Sequence, residues 1–323
     1  MWIMGAGSKA VIWSPETLSA CARGRNWSHF WSSMKLRPLF AVAAIAIGIS
    51  YLPIVHASPI PDEYRIGGFA IGCQAYSFNR FTVFEAIEKT AETGSKVIEF
   101  FPGQALSPDQ RNVKWDHNAS DEVIATVKAK LAKHGIKAVN YGVVGIPNNE
   151  ADARKIFEFA KKMDLYAVTT ESTESINLID KLVKEYDVRV GYHDHPRRKD
   201  DPNYKVWDPN YIVSLVKDHD VRIGACADIG HWQTSDLNVI ECLRILQGHI
   251  ISVHGKERPA MGPGQHDVPF GAGQTNMGAV LAELKRQGFV GNISVEYEYN
   301  WDHSVPEIAQ CVGFVRGWGA TQK

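Results

Sequence analysis

Residues 120–141 read SDEVIATVKAKLAKHGIKAVNY. Ser120 followed by Asp121 and Glu122 has the form of a helix start, with an oxygen to cap the first free N–H groups and acids at the positive end of the dipole. Gly135 is placed to end that helix in a left-handed turn. Ile136 to Tyr141 then reads as a short strand. The same alternation recurs outward in both directions. Strands are expected at 69–76, 96–101, 136–141, 165–170, 188–193, 222–228, 249–254 and 292–297. Between and after them, apolar residues at helical spacing mark 82–93, 120–134, 150–163, 173–186, 209–219, 236–247, 277–287 and 304–317. Gly288 closes the seventh of these helices as Gly135 closes the second. Strictly alternating strands and helices pair in parallel, and eight repeats after residue 66 imply a closed (β/α)8 TIM barrel. An open doubly wound sheet is disfavoured because no Gly-x-Gly-x-x-Gly turn follows the first strand. No linker or shift in composition divides residues 66–323, so one domain is expected.

The N-terminal region reads differently. Met34-Lys35-Leu36-Arg37 is a short basic start, followed by an apolar run from Leu39 to Val55. With Val55 and Ala57 at small-residue positions before Ser58, this is the form of a secretory signal peptide. Met34 is then the expected start and 58–323 the mature, exported barrel; an uncleaved membrane anchor is the alternative. Residues 1–57 hold five basic side chains and one acidic, so 30 Lys and Arg and 35 Asp and Glu remain, a net charge of −5. Nucleic-acid binding needs a basic footprint. The expected partner is therefore a small molecule, with no nucleic acid, no stable membrane insertion after cleavage, and a homo-oligomer left open. Cysteines 73, 226, 242 and 311 are scattered. Cys73 and Cys226 lie in apolar strand-like runs, which favours buried thiols over disulfides.

In a barrel of this kind the active site lies at the C-terminal ends of the strands. Polar residues collect there: Gln74 and Tyr76 on the first strand, Glu99 on the second, Asn140 and Tyr141 on the third, and Glu171 after the fourth. The fifth ends in Tyr192-His193-Asp194-His195, the sixth at Asp228 with His231 beyond, the seventh at His254 and Lys256, the eighth at Glu296 and Glu298. Carboxylates at the edge of an apolar core are costly to desolvate unless paired or metal-bound. Several on one rim also repel each other. A divalent cation resolves both problems, and mixed carboxylate and imidazole donors suit Mn²⁺, Co²⁺, Zn²⁺, Fe²⁺ or Mg²⁺ better than Ca²⁺. Each residue also has a simpler reading: Glu99 or Glu298 could pair with a lysine, His254 could be a rim histidine, and Asp228 could cap the following turn.

The segments ACADIGHW (225–232), ISVHGKE (251–257), HDVPFGAGQTNM (266–277) and NISVEYEYNW (292–301) resemble the xylose isomerase-like barrels, the sugar phosphate isomerase/epimerase group. The resemblance spans roughly residues 66–318. It implies one divalent metal held by Asp228, His254 and Glu296, with His231 touching substrate. Where many members have a glutamate at the end of the fifth strand, this chain has His193-Asp194-His195, like a branch with a Tyr-His-Asn-His pattern. Glu171 is expected to supply the missing carboxylate, with His193 competing for the place.

In the epimerases of that group, two metal-bound glutamates remove and return a proton beside a carbonyl. By this resemblance Glu296 is the expected base, and Glu171, His193 or His195 its counterpart. His195, Lys256, Gln74 and His266 are expected to contact substrate, and Trp232 and Trp301 to stack on a sugar face. Export favours an unphosphorylated sugar, so the glycines at 262–273 read as a closing loop rather than a phosphate cradle. The expected activity is a sugar isomerase or epimerase. A lyase or dehydratase on a keto sugar or inosose is the alternative, because a histidinium can protonate a leaving hydroxyl. An inactive exported sugar-binding barrel is a third reading, and an endonuclease IV-like phosphodiesterase a distant fourth, opposed by the charge.

Overall fold

The computed structural model describes residues 60–322. The expected signal segment, the start at Met34 and the cleavage site before Ser58 lie outside them. In chain order the strands are β1 (Ala70–Gln74), β2 (Val97–Phe100), β3 (Gln104–Ala105), β4 (Lys114–Trp115), β5 (Lys137–Tyr141), β6 (Ala167–Thr170), β7 (Arg189–His193), β8 (Ile223–Asp228), β9 (Ile250–Gly255) and β10 (Asn292–Val295). The helices are α1 (Val83–Glu92), α2 (Asp121–His134), α3 (Glu150–Lys162), α4 (Ile176–Tyr186), α5 (Pro209–Val216), α6 (Ile229–Thr234), α7 (Val239–Ile245), α8 (Met277–Arg286) and α9 (Val305–Ala320).

Eight strands close a barrel in the order β1-β10-β9-β8-β7-β6-β5-β2, and β3 and β4 form a small antiparallel pair beside it. Neighbouring barrel strands are parallel, as in β1 with β10 and β8 with β9. The helix and strand of residues 120–141 form as their ends dictate. Ser120 Oγ accepts the Val123 amide at 3.4 Å, and Gly135 adopts φ 65°. Thr82 and Glu85 cap α1 reciprocally.

The strands are buried on both faces, because side chains fill the interior and helices cover the outside. Gly224 is obligatory here: a Cβ would lie 2.0 Å from the carbonyl oxygen of His249, just before β9. The N-terminal end of the barrel is plugged by Ile60, which packs with Ala70, Val97, Val139, Tyr166, Ala167 and Ile251. Arg65 ties that plug down through Nη2 to the carbonyls of Ile60 (3.1 Å) and Val290 (2.9 Å).

The structure differs from expectation after the sixth barrel strand. Instead of one helix over 236–247 there are two, α6 starting directly at the end of β8 and α7 beginning at Val239. Asp228 causes this, since its Oδ1 accepts the amides of Gly230 (3.0 Å) and His231 (2.9 Å) and so starts a helix at once. Cys73, Cys226, Cys242 and Cys311 are buried free thiols. Among the described residues no helix is long and apolar enough to cross a membrane.

Candidate metal centre and active-site pocket

At the C-terminal mouth of the barrel, donor atoms of His193, Asp228, His254 and Glu296 all lie within 4.8 Å of one another, and all four residues are buried. Strand register produces this. Asp228 is paired with His254 across β8 and β9, and His193 ends β7 beside Cys226 on β8. Glu296 follows β10, its amide donating to the Gly255 carbonyl at 3.2 Å. His193 Nε2 lies 3.6 Å and His254 Nδ1 3.7 Å from Asp228 Oδ2, and His254 Nδ1 lies 3.0 Å from Glu296 Oε2.

The capping reading of Asp228 is observed, since Oδ1 caps α6, and Oδ2 is left to face the cluster. Asp228 Oδ2 and His193 Nε2 are shielded from water and lack a hydrogen-bond partner. Buried polar atoms left so are costly. Two imidazole nitrogens and two carboxylates converging on one point fit a divalent cation of the Mn²⁺, Co²⁺, Zn²⁺ or Fe²⁺ type.

The electrostatics follow from that convergence. Burial opposes ionisation of Asp228, but His231, Lys256 and the neighbouring imidazoles hold its carboxyl well below the usual range. Glu296 is likewise buried, yet Lys256 and His254 keep it far down. Burial draws His193 downward, and the nearby Asp228 and Glu171 carboxylates overcome it, leaving the imidazole at about 10. His231 goes the other way: burial wins, and its pKa falls well below the ordinary value. Lys256, its side chain wholly enclosed, lies 3.2 Å from Asp228 Oδ2, 2.9 Å from Glu296 Oε2 and 2.7 Å from Glu298 Oε2.

The sequence profile of the xylose isomerase-like TIM barrel family matches residues 87–316. The chain belongs to the xylose isomerase-like TIM barrel family. Among solved structures, an uncharacterised protein from Parabacteroides distasonis ATCC 8503 is 28% identical with a TM-score of 0.63, covering 77% of this chain and 98% of that one. A D-tagatose 3-epimerase-like protein is 18% identical (TM-score 0.58, 76% and 98% covered). A D-psicose 3-epimerase solved in the presence of D-fructose is 16% identical (TM-score 0.56, 78% and 97% covered). At those identities the last two show the fold. No curated protein sequence matches the chain.

In this family member the fourth residue of the buried set is His193, not the expected Glu171. Glu171 stands behind it: Oε1 meets His193 Nδ1 at 3.3 Å, His195 Nδ1 in a short contact, and the Tyr204 hydroxyl at 3.2 Å. It shares a second three-residue group with His193 and His195. The reason is the position of Glu171, one residue beyond the end of β6, where it reaches the outer side of the His193 ring.

Above the set opens a cavity of about 300 Å³, lined on one side by His193, His195, His231, Lys256, Glu296 and Glu298, and on the other by Gln74, Tyr76, Phe101, Pro102, Gly142 and Val143. Gln74 is held on both sides, donating to the Gly142 carbonyl (3.0 Å) and accepting the Tyr76 amide (3.1 Å). Two expected substrate contacts are corrected. Trp232 is buried at 2% exposure, because the early start of α6 turns it into the core. His266 lies outside the cavity lining, exposed and packed on Tyr299 at 4.3 Å between centroids. Gly230 has no left-handed φ, so it is not there for a turn. It makes room instead, since a Cβ there would lie 2.4 Å from Lys256 Cβ.

The residues that sequence reasoning missed lie behind the set. Glu99 is fully buried and pairs with a histidine rather than a lysine, its Oε1 3.0 Å from His254 Nε2. Ser294 Oγ (2.6 Å) and Asn292 Nδ2 (3.4 Å) donate to its Oε2. The alternation of Asn292 and Ser294 along an apolar strand was the available signal. Tyr204, in the loop before α5, carried none.

Proposed function

We propose that this barrel is a divalent-metal-dependent isomerase or epimerase of an unphosphorylated ketose or keto sugar, moving a proton next to a carbonyl. The observation that carries the reading is the closed set of His193, Asp228, His254 and Glu296 at the floor of an open pocket. These four residues hold the metal, which when bound supplies a Lewis acid toward a sugar carbonyl or hydroxyl oxygen. Glu296 is the base. Lys256 and His254 keep it ionised, so it can accept a proton from a bound sugar. Lys256 and the neutral His231, 3.3 Å apart, donate to substrate oxygens. Glu171 positions His193 and His195. The similar D-psicose 3-epimerase, solved in the presence of D-fructose, supports the ketose class. The exported location expected from residues 34–57 supports the absence of a phosphate.

Glu171 stands outside the four-residue set, so no second glutamate joins Glu296 in it. His195 and His231 line the pocket beside Glu296 instead, their rings stacked with centroids 5.1 Å apart. That favours a second reading, elimination of water from a keto sugar with His195 as proton donor. Incubation of the metal-loaded protein with ketoses in D₂O separates the two. Deuterium incorporated at carbon without loss of mass is expected for the first reading, and loss of water for the second. Neither change in any ketose, with metal bound, rejects both.

A further inference from the structure

The pocket is asymmetric: its charged side holds the donor set, and its other side is built from Tyr76, Phe101, Pro102 and Val143. Tyr76 is 39% exposed. It stands between two other rings, Phe101 at 5.3 Å and Trp301 at 5.9 Å between centroids, both edge to face. Tyr76 and Phe101 line the cavity and Trp301 does not. The three rings therefore form a row that starts in the pocket wall and runs out past its lip, carried by the segments after β1, β2 and β10. Its foot is fixed, because Gln74 ties the Tyr76 amide to the Gly142 carbonyl. A pre-formed surface spares a ligand the cost of ordering it. Tyr76 is exposed and Phe101 and Trp301 beside it are half-buried, and partly exposed apolar surface that continues a polar pocket is the form of a ligand surface.

Cavity size points the same way. About 300 Å³ is at the small end of ligand pockets, roughly 300–1,000 Å³, so a ligand larger than one ring must extend across the lip. Sugar rings have an apolar C–H face that lies on aromatic planes without needing a hydrogen bond.

We propose that Phe101, Tyr76 and Trp301 form a second sugar-ring subsite, and that the substrate is a saccharide of at least two units. Its ketose end enters the charged side of the pocket, and the neighbouring pyranose lies on Tyr76 and Trp301. This rests on the ketose reading above. It moves Trp301 from the reacting ring to the ring beyond it.

The test uses the metal-loaded full chain and three sugars: D-fructose, and lactulose and maltulose, which both end in a fructose unit. Affinity is measured by calorimetry, and D₂O exchange is followed on the same samples. At least one disaccharide is expected to bind roughly tenfold tighter than D-fructose. Trp301→Ala brings that ratio close to one, and Trp301→Phe restores most of it. Equal affinities, or an advantage that survives both Trp301→Ala and Tyr76→Ala, overturn the subsite. Exchange into D-fructose with no disaccharide advantage removes the subsite and leaves the ketose reading standing. A Trp301-dependent advantage with no exchange in any sugar does the reverse. Absence of binding by all three sugars overturns both.

Discussion

Glu99 holds His254 from below with Oε1, and its other oxygen is engaged by Ser294 and Asn292. A carboxylate behind an imidazole selects the tautomer: with Nε2–H donated to Glu99, the Nδ1 lone pair is free to face Asp228 and Glu296. Glu99→Gln keeps the size of the side chain and removes that preference. Loss of such a partner weakens metal binding about 10- to 100-fold, and competition against a chelator is expected to show a fall of that order with the fold intact. Glu171→Gln should cost less. Glu171 is partly exposed and divided among three partners, so an equal loss from both changes would count against the ordering. Neither role could be read from the chain alone. Glu99 and Glu171 differ from other strand-end acids only in which atoms meet them across the barrel.

On the scale of single elements, β8 joins close backbone packing at Gly224 to a polar end at Asp228. Gly224→Ala places a methyl 2.0 Å from the His249 carbonyl oxygen just before β9, which cannot rotate away. Overpacking of this kind costs about 1–3 kcal/mol, and urea unfolding of the variant should show a lower midpoint with an unchanged slope. Four residues further on, Asp228 ends the strand and starts α6. The strands were legible because each is a short apolar run closed by polar residues. Most helices were legible by their apolar spacing and caps, as at Ser120 and Gly135. Helix α6 was not, since six residues are too few to show a period and its start is fixed by a strand-end aspartate. Of the buried four-residue cluster, Asp228, His254 and Glu296 were legible as candidates at strand ends. The fourth place was not, because choosing between His193 and Glu171 depends on which one crosses the rim inward.

For the whole molecule, metal binding at the proposed donor set would couple to stability. A ligand that binds only the folded state stabilises it by about 2.7 kcal/mol at a hundred times its Kd. The melting temperature should rise by several degrees with saturating Mn²⁺ or Co²⁺, and Asp228→Ala should abolish the rise. An equal rise in the variant would place the binding elsewhere.

A second global dependence runs through Asp267, which joins the loop after β9 to the segment after β10: its Oδ2 accepts the Glu298 amide at 2.6 Å and its Oδ1 lies 3.3 Å from Arg258 Nε. Burial dominates over Lys256 and Arg258 and raises the carboxyl from 3.8 to about 6. Its folded value therefore lies above its unfolded value. Below about 4 both states hold the proton and the folded form has its full stability. Between about 4 and 6 the unfolded chain has given up the proton that the folded state still holds, so stability falls by about 3 kcal/mol and levels off once the folded carboxyl ionises above 6. Melting curves between pH 4 and 7 should show that decline, and Asp267→Asn should flatten it. A decline of the same size in Asp267→Asn would assign it to other groups and leave this loop uncoupled from pH.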